Sequence, residues 1–269
     1  MLRRYLFSGD KLVRTHLVAV LLMSAFFVSV NAQTTTLIFA SQDFPPFNVE
    51  INGKASGPFV DIVNVVCRRI QINCIVETLP WRRGIAEVEE GRLNGAFPLI
   101  RFPEREQFFY LLGPIANAVY AVYAGAGDTL QYHDAKDLLG YTIAAYGPSG
   151  TSLMLEQVTS GMPSVKRETE ISNLTVLKKL SVGRYGSKGL GFLNRDVAQY
   201  LIAQEHIENV HLAGAVKVQE YYIGLSRKSV SPEVEARFSA ALAALTQSGE
   251  LVSILKKYGL EVASDKMVN

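Results

Sequence analysis

A short apolar run in the first half of the chain leads directly into a cationic loop. Residues 94–109 read NGAFPLIRFPEREQFF, in which Ala96–Ile100 is apolar and has the length of one buried strand. Arg101 and Arg105 follow this run around a Phe-Pro turn. Because a guanidinium offers two parallel N–H donors to a carboxylate, an arginine at this strand end could hold an anion. The alternative is a solvated surface loop in which the arginines pair with the neighbouring glutamates.

The first 32 residues have the pattern of an export signal. Four basic residues precede the apolar run Leu17–Val30, which closes on the short side chains of VNA. This order is typical of a secretory signal peptide, with cleavage after Ala32. The alternative is an uncleaved membrane anchor, but the run is shorter than the roughly 20 residues that a spanning helix needs. We therefore expect a soluble, exported protein.

Removal of this segment changes the charge balance. The chain has 27 Lys and Arg against 25 Asp and Glu, and residues 1–32 hold four of the basic residues and one of the acidic ones. The remaining 23 basic and 24 acidic residues are nearly balanced and form no basic stripe, so nucleic-acid binding is not expected. The remaining length is sufficient for one large domain or two small lobes.

The only two cysteines of the chain, Cys67 and Cys74, lie close together. In an oxidising compartment such a pair suggests a disulfide, here between a predicted helix at 59–70 and a predicted strand at 74–79. Two buried free thiols are the alternative. The histidines after the signal segment are scattered without ligand spacing, and no phosphate-loop or dinucleotide motif is present. No metal and no cofactor is expected.

Predicted strands and helices alternate along the chain. The strands are predicted at 36–40, 74–79, 96–100, 119–124, 141–145, 190–193, 210–212 and 221–226, and the helices at 59–70, 82–90, 173–181, 196–204, 232–247 and 251–258, with one more helix after GPSGTS. This alternation is typical of an α/β protein with a largely parallel sheet. The pattern restarts near residue 125, which suggests two lobes with a cleft between them. Ligands of open α/β sheets bind at the carboxyl ends of the strands.

Seven segments, taken in order, resemble a known family. They are PPF (45–47), GPFVDIV (57–63), PWRRGIAEVEEGRLNGAF (80–97), FPER (102–105), DLLGYTIAAYGPSGTS (137–152), GFLNRDVAQYL (191–201) and YYIGLS (221–226). The chain resembles, over residues 34–260, the bacterial extracellular solute-binding proteins of family 3, the periplasmic receptors of polar amino acid ABC transporters. Members for lysine, arginine, ornithine and histidine carry a disulfide at the position of Cys67 and Cys74.

The resemblance implies a two-lobed α/β fold, the type II periplasmic binding fold. Each lobe is a mostly parallel sheet flanked by helices, and two hinge strands join the lobes. Residues 33–122 and 220–269 would form lobe 1, and residues 123–219 would form lobe 2.

The resemblance also implies which residues hold the ligand. Arg105 in FPER matches the arginine that binds the α-carboxylate, whereas Arg101 has no counterpart and is expected at the surface. Gly150 and Thr151 match the start of a lobe 2 helix whose free N–H groups approach the same anion. The alternative for this helix start is a plain N-cap, made by Thr151 or Ser152.

Two further pairs of residues correspond to the rest of the family's site. The family pairs the α-ammonium with an aspartate, where this chain has Asn194, with Asp196 two residues later. An amide does not compensate a buried positive charge, so either the ligand lacks the ammonium or another acid replaces the aspartate. Phe44 and Trp81 correspond to aromatics that sandwich the ligand side chain, and the alternative for both is a purely structural role.

The implied function is a monomeric periplasmic receptor. It would close on a small carboxylate-bearing ligand, an amino acid or a related molecule, and deliver it to an inner-membrane ABC permease. Two alternatives stay open. One is an enzyme on the same fold, similar to dehydratases that resemble these receptors. The other is a module that delivers its ligand to a membrane sensor.

Overall fold

The structure of the protein, a computed structural model, describes residues 36–263. The predicted signal peptide at 1–32 lies outside the described residues. The strands are β1 Thr36–Ser41, β2 Val49–Ile51, β3 Lys54–Ser56, β4 Asn73–Thr78, β5 Gly95–Ile100, β6 Phe109–Gly125, β7 Thr142–Tyr146, β8 Lys166–Glu170, β9 Gly189–Asn194 and β10 Val210–Ser226. The helices are α1 Pro58–Arg69, α2 Trp81–Glu89, α3 Pro103–Glu106, α4 Gly150–Val158, α5 Asn173–Ser181, α6 Arg195–Gln204, α7 Pro232–Gln247 and α8 Glu250–Lys257. A 3-10 turn spans Ala135–Leu138.

The main sheet has eight strands in the order β4-β1-β5-β10-β6-β9-β7-β8. At one end β1 pairs in parallel with β4 and β5, and at the other end β7 pairs in parallel with β8 and β9. We call β4, β1 and β5 the first half of the sheet, and β9, β7 and β8 the second half. The predicted α/β class with parallel strands and flanking helices is confirmed.

Two long antiparallel strands connect these halves. β6 and β10 pair along their whole length, from Phe109 opposite Ser226 to Gly125 opposite Val210. Near one end β10 also pairs with β5, and near the other β6 pairs with β9. The prediction of separate strands at 210–212 and 221–226 is wrong, because one strand spans both. Register shifts interrupt its pairing at three places, which obscures the strand pattern in the sequence.

The hairpin β2-β3 and the strand β8 are among the elements that were not predicted from the sequence. β2 and β3 form a hairpin around Asn52 and Gly53, which both have positive φ. An Asn-Gly pair between short strands is a strong hairpin signal, and it was present in the sequence. β8 reads KRETE and lies at the edge of the sheet, where charged side chains are common because they discourage pairing with another chain.

The predicted disulfide is present. Cys67 on α1 and Cys74 on β4 are bonded with their Cα atoms 6.1 Å apart, so the alternative of two free thiols is wrong. The face of α1 that carries Ile62, Val63 and Val66 is fully buried against the sheet. The bond therefore fixes the end of a core helix to the outermost strand of the first half.

No single helix within residues 36–263 is long and apolar enough to cross a membrane. The pair α7 and α8 meets the length and composition requirement only when the two helices are joined across a bend of 77°.

Candidate ligand-binding site

A cavity lies where the parallel strands of both halves end. The first half contributes Gln42, Phe44, Trp81, Pro98, Ile100 and Arg105, the second half contributes Tyr146, Ser149, Gly150 and Thr151, and the long strands contribute Tyr120 and Tyr221. Its empty volume is about 310 Å³, part of which is open to solvent. Five of the seven predicted ligand-binding residues, Phe44, Trp81, Arg105, Gly150 and Thr151, are thus brought together, as expected for a site at strand ends.

Arg105 is the cation of this cavity. It lies on the short helix α3, its Nη1 donates a hydrogen bond of 2.9 Å to the carbonyl oxygen of Ile100, and its guanidinium lies 5.4 Å from the ring centre of Phe102. Burial lowers the pKa of the guanidinium, while Tyr120 and Glu89 act in the opposite direction. Among residues 36–263, no carboxylate lies within 4.0 Å of it. The remaining guanidinium donors are therefore available to an anion.

Arg101 has the opposite surroundings. Its side chain is exposed, its Nη1 lies 2.5 Å from Glu106, and its guanidinium lies 4.8 Å from the ring centre of Tyr222. It does not line the cavity. The sequence allowed either arginine to pair with a neighbouring glutamate. Among residues 36–263, Arg101 forms such an ion pair and Arg105 does not.

The start of α4 faces the cavity from the second half. Its N-cap is Ser149, whose Oγ accepts hydrogen bonds from the backbone N–H groups of Thr151 (3.0 Å) and Ser152 (3.4 Å). Ser152 completes a capping box by accepting from the N–H of Ser149. The N-cap is therefore Ser149, and the alternative of a cap made by Thr151 or Ser152 is wrong. Within the described part of the chain, no hydrogen bond uses the N–H of Gly150.

Gly150 also lies close to the first half. A Cβ atom at this position would lie 2.9 Å from Cδ1 of Ile100, which is closer than carbon atoms normally approach. A glycine here therefore allows the two halves to approach each other at the cavity.

Phe44 and Trp81 form the aromatic wall. Both side chains are 6% exposed, so they serve as part of the core and as cavity lining at once. Phe44 stacks on Phe47 with ring centres 5.7 Å apart, and it meets Tyr221 edge-on at 6.2 Å. Trp81 is the first residue of α2 and packs with the apolar cluster under that helix.

The tyrosines of the cavity were not predicted from the sequence. Tyr120 on β6 and Tyr221 on β10 are almost fully buried, and burial raises the pKa of Tyr120 to about 12 and that of Tyr221 well above its usual value. Their hydroxyls stay protonated and can donate hydrogen bonds. Tyr146 donates a hydrogen bond of 3.3 Å to Oε1 of Gln42, which links the second half to the first. Tyr120 and Tyr221 lie on predicted strands, but no local pattern marked them as lining residues.

Asn194 and Asp196 are not among the lining residues. Asn194 is the N-cap of α6, where its Oδ1 accepts from the N–H groups of Asp196 (2.9 Å) and Val197 (3.0 Å). Its Nδ2 donates a hydrogen bond of 3.2 Å to the hydroxyl of Tyr221. Because Tyr221 lines the cavity, Asn194 lies directly behind the cavity wall. Asp196 lies 3.6 Å from Arg195, and burial raises the pKa of its carboxyl.

The cavity continues into a wider groove, which we call the outer cleft. Gln42, Phe44, Trp81 and Tyr146 line both spaces. The charged residues of the outer cleft are Asp43, Glu50, Arg82 and Glu205. Arg82, the neighbour of Trp81, lines the outer cleft and not the inner cavity.

The sequence matches a known protein family and a known relative over most of its length. Residues 37–261 match the family described as bacterial extracellular solute-binding proteins, family 3. A relative in Mannheimia haemolytica, an arginine-binding periplasmic protein, is 22% identical over 254 residues, which cover 88% of this chain and 97% of the relative.

Solved structures share the fold at low identity. A histidine kinase sensor domain with similarity to periplasmic binding proteins has a TM-score of 0.74 at 18% identity, covering 85% of this chain and 97% of its own. The arginine-, lysine-, histidine-binding protein of Geobacillus stearothermophilus has a TM-score of 0.70 at 18% identity, covering 83% and 95%. Since the family match extends over most of the sequence, the chain belongs to the bacterial extracellular solute-binding proteins of family 3.

Proposed function

We propose that this protein is a periplasmic receptor that closes on a small carboxylate-bearing ligand, an amino acid or a related molecule, and delivers it to an ABC permease of the inner membrane. The observation that carries the proposal is Arg105, a half-buried arginine of the cavity lining with no carboxylate within 4.0 Å among residues 36–263. Removing a charge from water is costly unless a counter-charge compensates it, and a ligand carboxylate supplies that charge.

The arrangement of the cavity supports a closing motion. Arg105 belongs to the first half, whereas Gly150 and Thr151 belong to the second half and supply an N–H and a hydroxyl. An anion held between them contacts both halves, so binding and closure become one event. Residues 33–122 with 220–269 and residues 123–219 are the two lobes of this proposal.

The relatives support the ligand class and the compartment. The name of the relative in Mannheimia haemolytica states that it is periplasmic and binds arginine. By analogy, we place this protein in the periplasm as a monomer, after cleavage behind Ala32.

The proposal is tested with two matched variants. Ligand that co-purifies with the native protein is identified by mass spectrometry, and its affinity for Arg105→Ala and Arg101→Ala is measured by calorimetry. Loss of a charge-assisted pair in a closed cleft costs about 2–5 kcal/mol, so Arg105→Ala should nearly abolish binding. Arg101→Ala should bind as the wild type does, because Arg101 is exposed and paired with Glu106.

Both variants must first have wild-type circular dichroism and melting curves. Equal affinities of the two variants for the ligand would refute the role of Arg105 and, with it, the proposed site.

A receptor is distinguished from an enzyme by the fate of the ligand. We expect the bound molecule to be recovered unchanged after prolonged incubation, and a new product in the mass spectrum would favour the dehydratase-like alternative.

Delivery to a sensor is the second candidate, and the likeness to a histidine kinase sensor domain favours it. Uptake of radiolabelled ligand by cells with and without the gene separates the two. Lost uptake supports the permease role, whereas unchanged uptake with a lost transcriptional response to the ligand supports the sensor role.

A further inference from the structure

The inner cavity has an unusual charge pattern for a site that binds zwitterions. Its lining contains one cation, Arg105, and no Asp or Glu. The acidic residues of the groove, Asp43, Glu50 and Glu205, line the outer cleft only. The α-ammonium of an amino acid is only two bonds from the carboxylate carbon, so it would lie in the inner cavity if Arg105 held the carboxylate.

Asn194 determines the direction of the hydrogen bonds behind the cavity. Because its Oδ1 accepts from two backbone N–H groups of α6, its Nδ2 is the group that faces Tyr221. An amide NH₂ only donates, so the oxygen of Tyr221 accepts this bond and the hydroxyl hydrogen points elsewhere.

The same direction continues to the cavity. Because Asn194 donates to the oxygen of Tyr221, and Tyr221 itself lines the cavity, the hydroxyl hydrogen of Tyr221 is available to a group in the cavity. Asn194 therefore leaves Tyr221 as a hydrogen-bond donor towards the cavity, which suits an anion.

The side-chain acceptors of the cavity lining are neutral. Oε1 of Gln42 accepts from Tyr146, and Oγ of Ser149 accepts from the N–H of Thr151. Asp196, which lies beside Arg195, and Glu89, which lies on α2, are also outside the lining. An ammonium in the inner cavity would have no compensating charge, which is costly in a desolvated site.

We propose that the inner cavity selects organic carboxylates with no ammonium on the carbon next to the carboxylate, and that Asn194 sets this preference. The inference rests on the proposed function, in which Arg105 holds the carboxylate. It narrows the ligand class from amino acids and related molecules to deaminated acids. The outer cleft, with its three acids and Arg82, then receives the rest of the ligand.

The test compares matched pairs of ligands. Arginine, glutamate, leucine and phenylalanine are each compared by calorimetry with the same acid in which hydrogen replaces the α-amino group. For each pair that the wild type binds, we expect the deaminated acid to bind about tenfold more tightly or better, because an uncompensated buried charge costs several kcal/mol. A smaller preference, a preference for the amino acids, or no binding of any probe would overturn the inference.

A matched variant tests the role of Asn194. Asn194→Asp keeps an N-cap side chain that accepts the same backbone bonds, and it adds a negative charge behind Tyr221. The preference for deaminated acids should fall by about tenfold or reverse. Ser231→Asp, at the N-cap of α7 and outside the cavity lining, should keep the wild-type preference. An Asn194→Asp protein that folds and keeps the wild-type preference would overturn the role of Asn194.

The two proposals fail in different ways. If Arg105→Ala abolishes binding but the wild type prefers amino acids, only the inference on ligand class is wrong. If Arg105→Ala binds like the wild type, the proposed function is wrong as well. If Asn194→Asp does not fold, the comparison of matched ligands on the wild type still tests the proposed ligand class.

Discussion

At the scale of single residues, two arginines four positions apart in one loop have different environments. The short helix α3 turns Arg105 back towards the carbonyl of Ile100 and into the cavity, whereas Arg101 remains exposed beside Glu106. Both side chains carry the same guanidinium group, so residue type alone does not distinguish them. The local path of the chain decides which guanidinium lacks a carboxylate partner.

The position of Trp81 leads to a spectroscopic prediction. It is the only tryptophan of the chain, it is 6% exposed, and it lines the cavity at the start of α2. A ligand that displaces water from this wall should change the intensity or the wavelength of the tryptophan fluorescence. Titration with the co-purified ligand, with binding confirmed by calorimetry, measures this change. An unchanged spectrum at saturation would show that the ligand does not contact Trp81.

The residues of the site were predictable to different degrees. Arg105, Gly150 and Thr151 belong to contiguous motifs, FPER and GPSGTS, so they were recognised from the sequence. Tyr120 and Tyr221 were not, because they meet only through the pairing of strands that are far apart in the chain. In the sheet Tyr120 lies opposite Asn194, and Tyr221 lies opposite Ile100. The structure was needed to reveal this juxtaposition.

At the scale of elements, the capping box of α4 connects stability with binding. Oγ of Ser149 accepts from the N–H groups of Thr151 and Ser152, and this orients the helix start that faces the cavity. Replacing a capping serine by alanine costs about 1 kcal/mol. We expect Ser149→Ala to lose about this much in urea unfolding, and to bind the co-purified ligand several-fold more weakly because the helix start loses its orientation.

The N-cap of α7 provides the control. Oγ of Ser231 accepts from the N–H of Val234, and Ser231 is not part of the cavity lining. Ser231→Ala should therefore lose similar stability and keep wild-type affinity. Wild-type affinity in Ser149→Ala would show that the cap serves the helix alone.

Elements with strong apolar patterns were predictable, and those without were not. The helix at Asn173–Ser181 has the predicted bounds, and β5 differs from its prediction by one residue, because both bury clear apolar faces. β8 has only Glu170 buried, so its sequence resembles a loop. In β10 the register shifts and exposed residues between 210 and 221 concealed a single strand.

At the scale of the whole molecule, β6 and β10 are the two strands of the main sheet that pass from one half to the other. Tyr120 and Tyr221 of the cavity lie on these strands, close to where the pairing changes from β5 to β9. In the proposed function, in which the two halves close on a ligand, bending of this strand pair would change the separation of Arg105 and Thr151.

The hydrogen bond between Tyr146 and Gln42 connects the halves directly, because Tyr146 ends β7 and Gln42 follows β1. One neutral hydrogen bond contributes about 0.5–1.5 kcal/mol. If it forms on closure, Tyr146→Phe should weaken binding of the co-purified ligand by about two- to tenfold. In that case the open form lacks the bond, and the free energy of unfolding without ligand should be unchanged.

Tyr141→Phe is the matched control. The hydroxyl of Tyr141 lies 3.5 Å from Asp128 and does not line the cavity, so this variant should bind like the wild type. Small-angle X-ray scattering completes the test: the radius of gyration of the wild type should fall on ligand addition, and Tyr146→Phe should need more ligand for the same decrease. If the radius does not fall, the halves do not close on the ligand. If Tyr146→Phe binds as tightly as Tyr141→Phe, the bond between Tyr146 and Gln42 does not stabilise the closed form.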